Sequence, residues 1–124
     1  MRYEEIKHKS PEETVEHFVK FVSQDLGLHS PPAIEYSPKK KHKGDHNTGW
    51  YNPESDSIWV YTGNRNLIDI LRTIAHELRH RRQHQDNQID EKGTYPGHPR
   101  EQEADAYAGY IVKVYGKKHP HIMQ

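Results

Sequence analysis

Five residues in the second half of the chain could carry chemistry together: His76-Glu77-Leu78-Arg79-His80. Residues four apart on a helix lie on one face, about 6 Å apart along the axis. Two imidazoles so placed can converge on one metal ion, held at about 2.0–2.1 Å. Glu77 then sits on the adjoining flank. It reaches a metal-bound water as a general base without ligating the metal. Zinc suits nitrogen and carboxylate donors best, although nickel or copper would compete for the same donors.

A catalytic zinc uses three protein ligands and keeps one position open. The segment Glu101-Gln102-Glu103-Ala104-Asp105 supplies the third. Glu101, Ala104, Asp105, Ala108, Ile111, Val112 and Tyr115 share a helix face. Two carboxylates on a face otherwise small, apolar or aromatic are costly to bury unless paired or metal-bound. The small Ala104 and Ala108 let this helix approach the one bearing the histidines. Glu101 is therefore expected as third ligand. Asp105 is expected to accept a hydrogen bond from a ligand histidine and fix its tautomer. The rivals are Glu103, expected on another, exposed face, and His84 and Asp86. His84 lies too far along a straight helix to share the metal easily. Asp86 would need the chain to turn at a glycine where Gln83 stands.

These residues need particular elements around them. Ser10-Pro11-Glu12-Glu13 reads as a capped helix start, and Val15, Phe18, Val19 and Val22 continue it to about Leu26, before Gly27. Ala33–Ser37, Thr48–Asn52 and Ser57–Thr62 read as short strands, the last two joined by Asn52-Pro53-Glu54-Ser55-Asp56. Asn64 or Asn66 caps a helix over about 67–85. Its apolar stripe (Leu67, Ile70, Leu71, Ile74, Ala75, Leu78) lies opposite His76 and His80. One face would pack and the other would present the metal. Residues 86–98 form a loop, Pro99 opens the last helix, Gly116 closes it, and residues 117–124 form a flexible polar tail. The expectation is one α+β domain over residues 1–124: an N-terminal helix, a short three-stranded sheet of underivable order, an active-site helix, a loop and a C-terminal ligand-bearing helix.

Composition narrows the classes. The 124 residues are 31% apolar, and mean hydropathy is −1.17, so the core is small. Lys+Arg and Asp+Glu both number 18, and the balanced charge argues against a nucleic-acid or membrane partner. The basic groups Lys39–Lys43 and Arg79, Arg81 and Arg82 are read as solvated. There is no cysteine, which excludes thiolate ligands and disulfides. With no apolar run long enough to span a bilayer and no signal-peptide core, a soluble cytoplasmic chain is expected. Oligomeric state is not legible.

The two motifs, in this order, resemble the gluzincin metallopeptidases, above all the small minigluzincins, whose pattern is His-Glu-x-x-His followed by Glu-x-x-Ala-Asp. The resemblance covers about residues 48–115. It implies a zincin-like fold, zinc on His76, His80 and Glu101, catalysis by Glu77, support from Asp105, and hydrolysis of peptide bonds in a peptide or protein substrate. It also implies a sheet edge that binds an extended peptide, expected here at Ile58, Trp59, Val60 and Tyr61. His98, Tyr95, Tyr107 and Tyr110 are the options for stabilising an oxyanion. A looser similarity to SprT-like proteases makes His98 a further option as third ligand. Latent minigluzincins suggest by analogy that the tail, with His119 and His121, closes the cleft. The competing class is a metal-binding or interaction module of the same fold that cleaves nothing.

Overall fold

The computed structural model describes residues 11–40, 47–90 and 92–123. Three helices, α1 (Pro11–Leu26), α2 (Leu67–Gln85) and α3 (Pro99–Lys118), accompany a sheet of β1 (Ala33–Ser37), β2 (Gly49–Asn52) and β3 (Ser57–Tyr61), with α2 packed between the sheet and the other two helices. A 3-10 turn, Pro120–Met123, follows α3. Ser10, the expected cap of α1, and Lys41 and Lys43 lie outside the described residues.

The local signals act as their chemistry requires. Gly27 takes φ +70°, and the Leu28 amide returns to the Ser23 carbonyl, closing α1. Asn66 caps α2, its side-chain oxygen accepting from the Asp69 amide at 3.0 Å. Asp56 absorbs a positive φ of 49° in the β2–β3 turn.

The strand order is β1-β3-β2, with β3 parallel to β1 and antiparallel to β2. This corrects the expectation that β3 is the substrate-binding edge. Ile58, Trp59 and Val60 are all buried, and β3 is paired along both of its edges. Among the described residues the edge strands are β1 and β2, and it is β2 that lines the cleft at His76. Because the Tyr61 amide donates to the Thr48 carbonyl, the antiparallel alternation directs the backbone groups of Trp50 and Asn52 at β3. Those of Gly49 and Tyr51 therefore point to the open side of β2.

Helix α2 is the centre of the fold rather than a two-faced surface helix. Leu71, Ile74, Ala75 and Leu78 are buried, but so are Thr73, Glu77, His80, Arg81 and Gln83. Helix α3 packs over the histidine face, the close approach expected from the small Ala104 and Ala108, both of which are buried. On the other side Phe18 of α1 meets Tyr115 of α3 edge-on at 5.0 Å. Helix α3 continues through Gly116, which is buried, and Ile122 enters the core at 1% exposure. The segment expected to be a flexible tail is thus folded against the helices as far as Ile122.

Candidate metal centre

Helix α2 carries His76 and His80 one turn apart, and the first turn of α3 brings Glu101 over them. The three donor atoms converge. His76 Nε2 lies 2.8 Å from Glu101 Oε1, His80 Nε2 lies 2.9 Å from Glu101 Oε2, and the two Nε2 atoms are 3.0 Å apart. His76, His80 and Glu101 form a metal-compatible donor group among the described residues. Thr94, from the loop before α3, donates to Glu101 Oε2 at 3.0 Å.

The chemistry of this donor set is compatible with a cation. Asp105 Oδ1 lies 2.8 Å from His76 Nδ1, and a carboxylate there holds the proton on Nδ1. His76 Nε2 is then a bare lone pair directed at a carboxylate oxygen. Burial, with the charge of His80, lowers the His76 pKa, although Glu101 and Asp105 oppose this, so the neutral ring is favoured. For Glu101, burial raises the pKa, but its contacts with His76 and His80 and the hydrogen bond from Thr94 outweigh it and leave the carboxyl below its usual range. A positive ion among these donors would relieve the facing lone pairs, as would a second proton on the His76 ring shared between Glu101 and Asp105. The residues fit zinc in donor type and number.

Glu77 stands beside this cluster at 4% exposure, with Oε1 3.8 Å from His76 Nε2. Its Oε2 is buried without a hydrogen-bond partner. Burial, then the charges of Glu101 and Asp105, push its carboxyl up to about 8. A carboxylate this deep needs a nearby positive charge to stay ionised at neutral pH.

The cluster opens onto a cleft of about 1540 Å³. Gly49, Trp50 and Tyr51 of β2 form one wall, Arg72 and Thr73 of α2 the floor beyond His76, and Thr94 to Gly97 the opposite lip. Gly49 makes the wall possible. A Cβ there would stand 2.5 Å from Thr73 Cγ2 and 3.0 Å from the Trp59 carbonyl oxygen, with Glu77 Cγ at 3.5 Å.

The remaining expected site residues divide. Asp105 meets His76 as expected, but at 68% exposure; burial is not what makes it useful. Glu103 is no exposed fallback ligand: it bonds Arg79 at 2.7 Å, and Arg100 and Gln83 at 3.0 Å. His84 lines the cleft and packs on Tyr51, outside the donor group. Asp86 pairs with Arg82 at 3.1 Å. His98 is the N-cap of α3, its Nδ1 accepting from the Arg100 amide at 3.0 Å. Tyr107 donates to Asp25 at 2.7 Å, away from the cleft, and Tyr110 is exposed outside it. Of the four oxyanion options only Tyr95 lines the cleft, at its exposed lip. Neither His119 nor His121 lines it; His119 stacks on Tyr115 at 4.4 Å instead. The three arginines read as solvated are engaged. Arg79 pairs with Glu103, Arg82 with Asp86, and Arg81 is buried on Asp56 at 2.7 and 2.9 Å. Sequence reasoning missed Gly49, Thr94 and Gln83. Only Gln83 carried a signal, as a polar residue one turn beyond His80.

Fold and site together define a small α+β domain with a His–His–Glu donor cluster beside a buried glutamate. No helix among the described residues is long and apolar enough to cross a membrane. The chain belongs to the family described as protein of unknown function (DUF3920), which it matches over residues 44–119. No curated protein and no solved structure matches it.

Proposed function

We propose that this protein is a zinc-dependent metallopeptidase of zincin-like, gluzincin type that hydrolyses bonds in extended peptides. The observation that carries the reading is the convergence of His76, His80 and Glu101 with the partnerless carboxylate oxygen of Glu77 beside them. A zinc ion on His76, His80 and Glu101 would polarise a carbonyl and acidify a water. Its charge would also oppose the burial that pushes the Glu77 carboxyl up, returning it to the ionised form.

The chain's own residues account for the rest. Glu77 accepts a proton from the attacking water and passes it to the leaving nitrogen. Asp105 orients the His76 ring. The open backbone groups of Gly49 and Tyr51 on β2 pair with an extended substrate and lay it along the cleft, as strand addition at a free edge does. The role foreseen for Ile58–Tyr61 therefore passes to the neighbouring strand. Tyr95, exposed where it lines the cleft, is the remaining oxyanion option.

The test is cleavage of an unfolded protein substrate by zinc-loaded wild type and Glu77→Gln. The reading expects cleavage by wild type, and loss of at least 100-fold on the order of general-base effects in the variant, with zinc retained. A wild type that holds zinc and cleaves nothing supports the silent metal-binding module instead.

A further inference from the structure

Gln83 is a fully buried polar side chain on α2, and both ends of its amide are engaged. Its Nε2 lies 3.0 Å from the Arg100 carbonyl oxygen and 3.0 Å from Glu103 Oε1. Its Oε1 lies 2.8 Å from His80 Nδ1. A primary amide has two N–H donors and one acceptor oxygen. The two partners from α3 are pure acceptors: a carbonyl and a carboxylate that Arg79 and Arg100 keep charged, at 2.7 and 3.0 Å. The amide nitrogen must therefore face α3, and the reversed orientation would set oxygen against oxygen twice. With the amide so fixed, its oxygen faces His80. The ring nitrogen it meets must be N–H.

We propose that Gln83 is the positioning residue for His80, and that α3 sets its orientation through Glu103 and the Arg100 carbonyl. This polar chain holds the His80 proton on Nδ1 and keeps the Nε2 lone pair directed at Glu101 and His76. The function of Glu103 follows. It is neither a ligand nor a solvated acid, but the anchor that decides which end of the amide meets the histidine. The two ligand histidines are thus oriented by unlike means, His76 by a solvent-exposed carboxylate and His80 by a buried amide. The helix that supplies Glu101 also sets the tautomer of His80, so docking of α3 on α2 assembles the donor set in one event. The idea rests on the metal-site reading for its purpose but not for its structural content.

The experiment therefore has two arms. The first is nitrogen-15 NMR of the histidine rings in zinc-free protein, above the ordinary imidazole pKa of about 6.5. The Nδ1–H form is expected for His80 in wild type. In Gln83→Met, close in volume but without the amide, His80 should pass to a tautomer mixture while His76, still on Asp105, stays unchanged. A general packing defect would not single out one ring. The second arm is zinc affinity by competition with a chromophoric chelator. Loss of such an outer partner lowers affinity about 10–100-fold, and this range is expected for Gln83→Met. Wild-type His80 protonated on Nε2 overturns the proposal, as does a variant that keeps both tautomer and affinity. If Gln83→Met does not fold, the wild-type spectrum alone decides. If wild type binds no zinc, the function proposed above fails, while the first arm still judges the role of Gln83.

Discussion

Replacing Gly49 by alanine tests how closely the edge strand must approach the active-site helix. The added Cβ would sit 2.5 Å from Thr73 Cγ2 and 3.0 Å from the Trp59 carbonyl oxygen. The first contact is far inside van der Waals range. The second is with backbone, which cannot turn aside, because Trp59 belongs to the central strand and is paired on both sides. Overpacking of this kind costs about 1–3 kcal/mol, and Tm should fall by several degrees. Thr73→Ser removes the offending methyl but keeps the hydroxyl that accepts from Arg65 at 2.7 Å. On its own it should cost about 0.8 kcal/mol for the lost methyl. Combined with Gly49→Ala, it should relieve much of the damage, with the Trp59 contact left as residue. A double-mutant cycle in urea, read by circular dichroism, measures the coupling. Gly49→Ala with wild-type stability, or strictly additive effects of the two changes, would refute the claim that Gly49 sets the spacing.

Three further outcomes follow from the same coordinates. Hydrogen bonds from Arg81, then from Tyr51, hold the Asp56 carboxyl below its usual range against the opposing effect of burial. A depressed folded pKa contributes stability above the unfolded value of about 3.9 and loses it as pH falls through the folded one. Arg81→Met should therefore flatten the acid limb of a stability–pH curve, and an unchanged limb would remove Asp56 from the account. Ile122→Ala should cost about 2–5 kcal/mol in chemical denaturation, since its side chain belongs to the core; a surface-like effect would restore the expected free tail. Phe18→Ala, which opens the contact with Tyr115, should cost about 3–5 kcal/mol, and an effect below about 1 kcal/mol on that scale would sink the assigned α1–α3 packing.

Where local chemistry decided the outcome, the sequence was enough. The bounds of α1 and α2 follow from Pro11, Gly27, Asn66 and an apolar period of 3.6. The pairing of His76 with His80 on one face of α2 is a property of that period alone. Four other features depend on tertiary contacts. Strand order cannot be read from three short segments, and the apolar run expected at the edge in fact marks β3 as the central strand, paired on both sides. The burial of His80 and Gln83 depends on α3 lying over α2; the small Ala104 and Ala108 signal that approach, but the pattern of one helix does not report how deeply its polar face is covered. Gly116 signals a helix end, since glycine costs about 1 kcal/mol in a helix interior. The packing of Tyr115 and Ile122 on either side outweighs that penalty. Glu103 was misplaced because helical spacing gives the face but not the partners, and Arg79, Gln83 and Arg100 all meet it there.

The most direct test of the central claim is the zinc content of purified protein, measured by elemental analysis after dialysis against zinc, in wild type and in Glu101→Ala. The account predicts stoichiometric zinc in wild type and sharp loss in the variant, with the fold retained by circular dichroism. A wild type that holds no zinc, or a variant that holds as much, would contradict the assignment of His76, His80 and Glu101 as a metal centre.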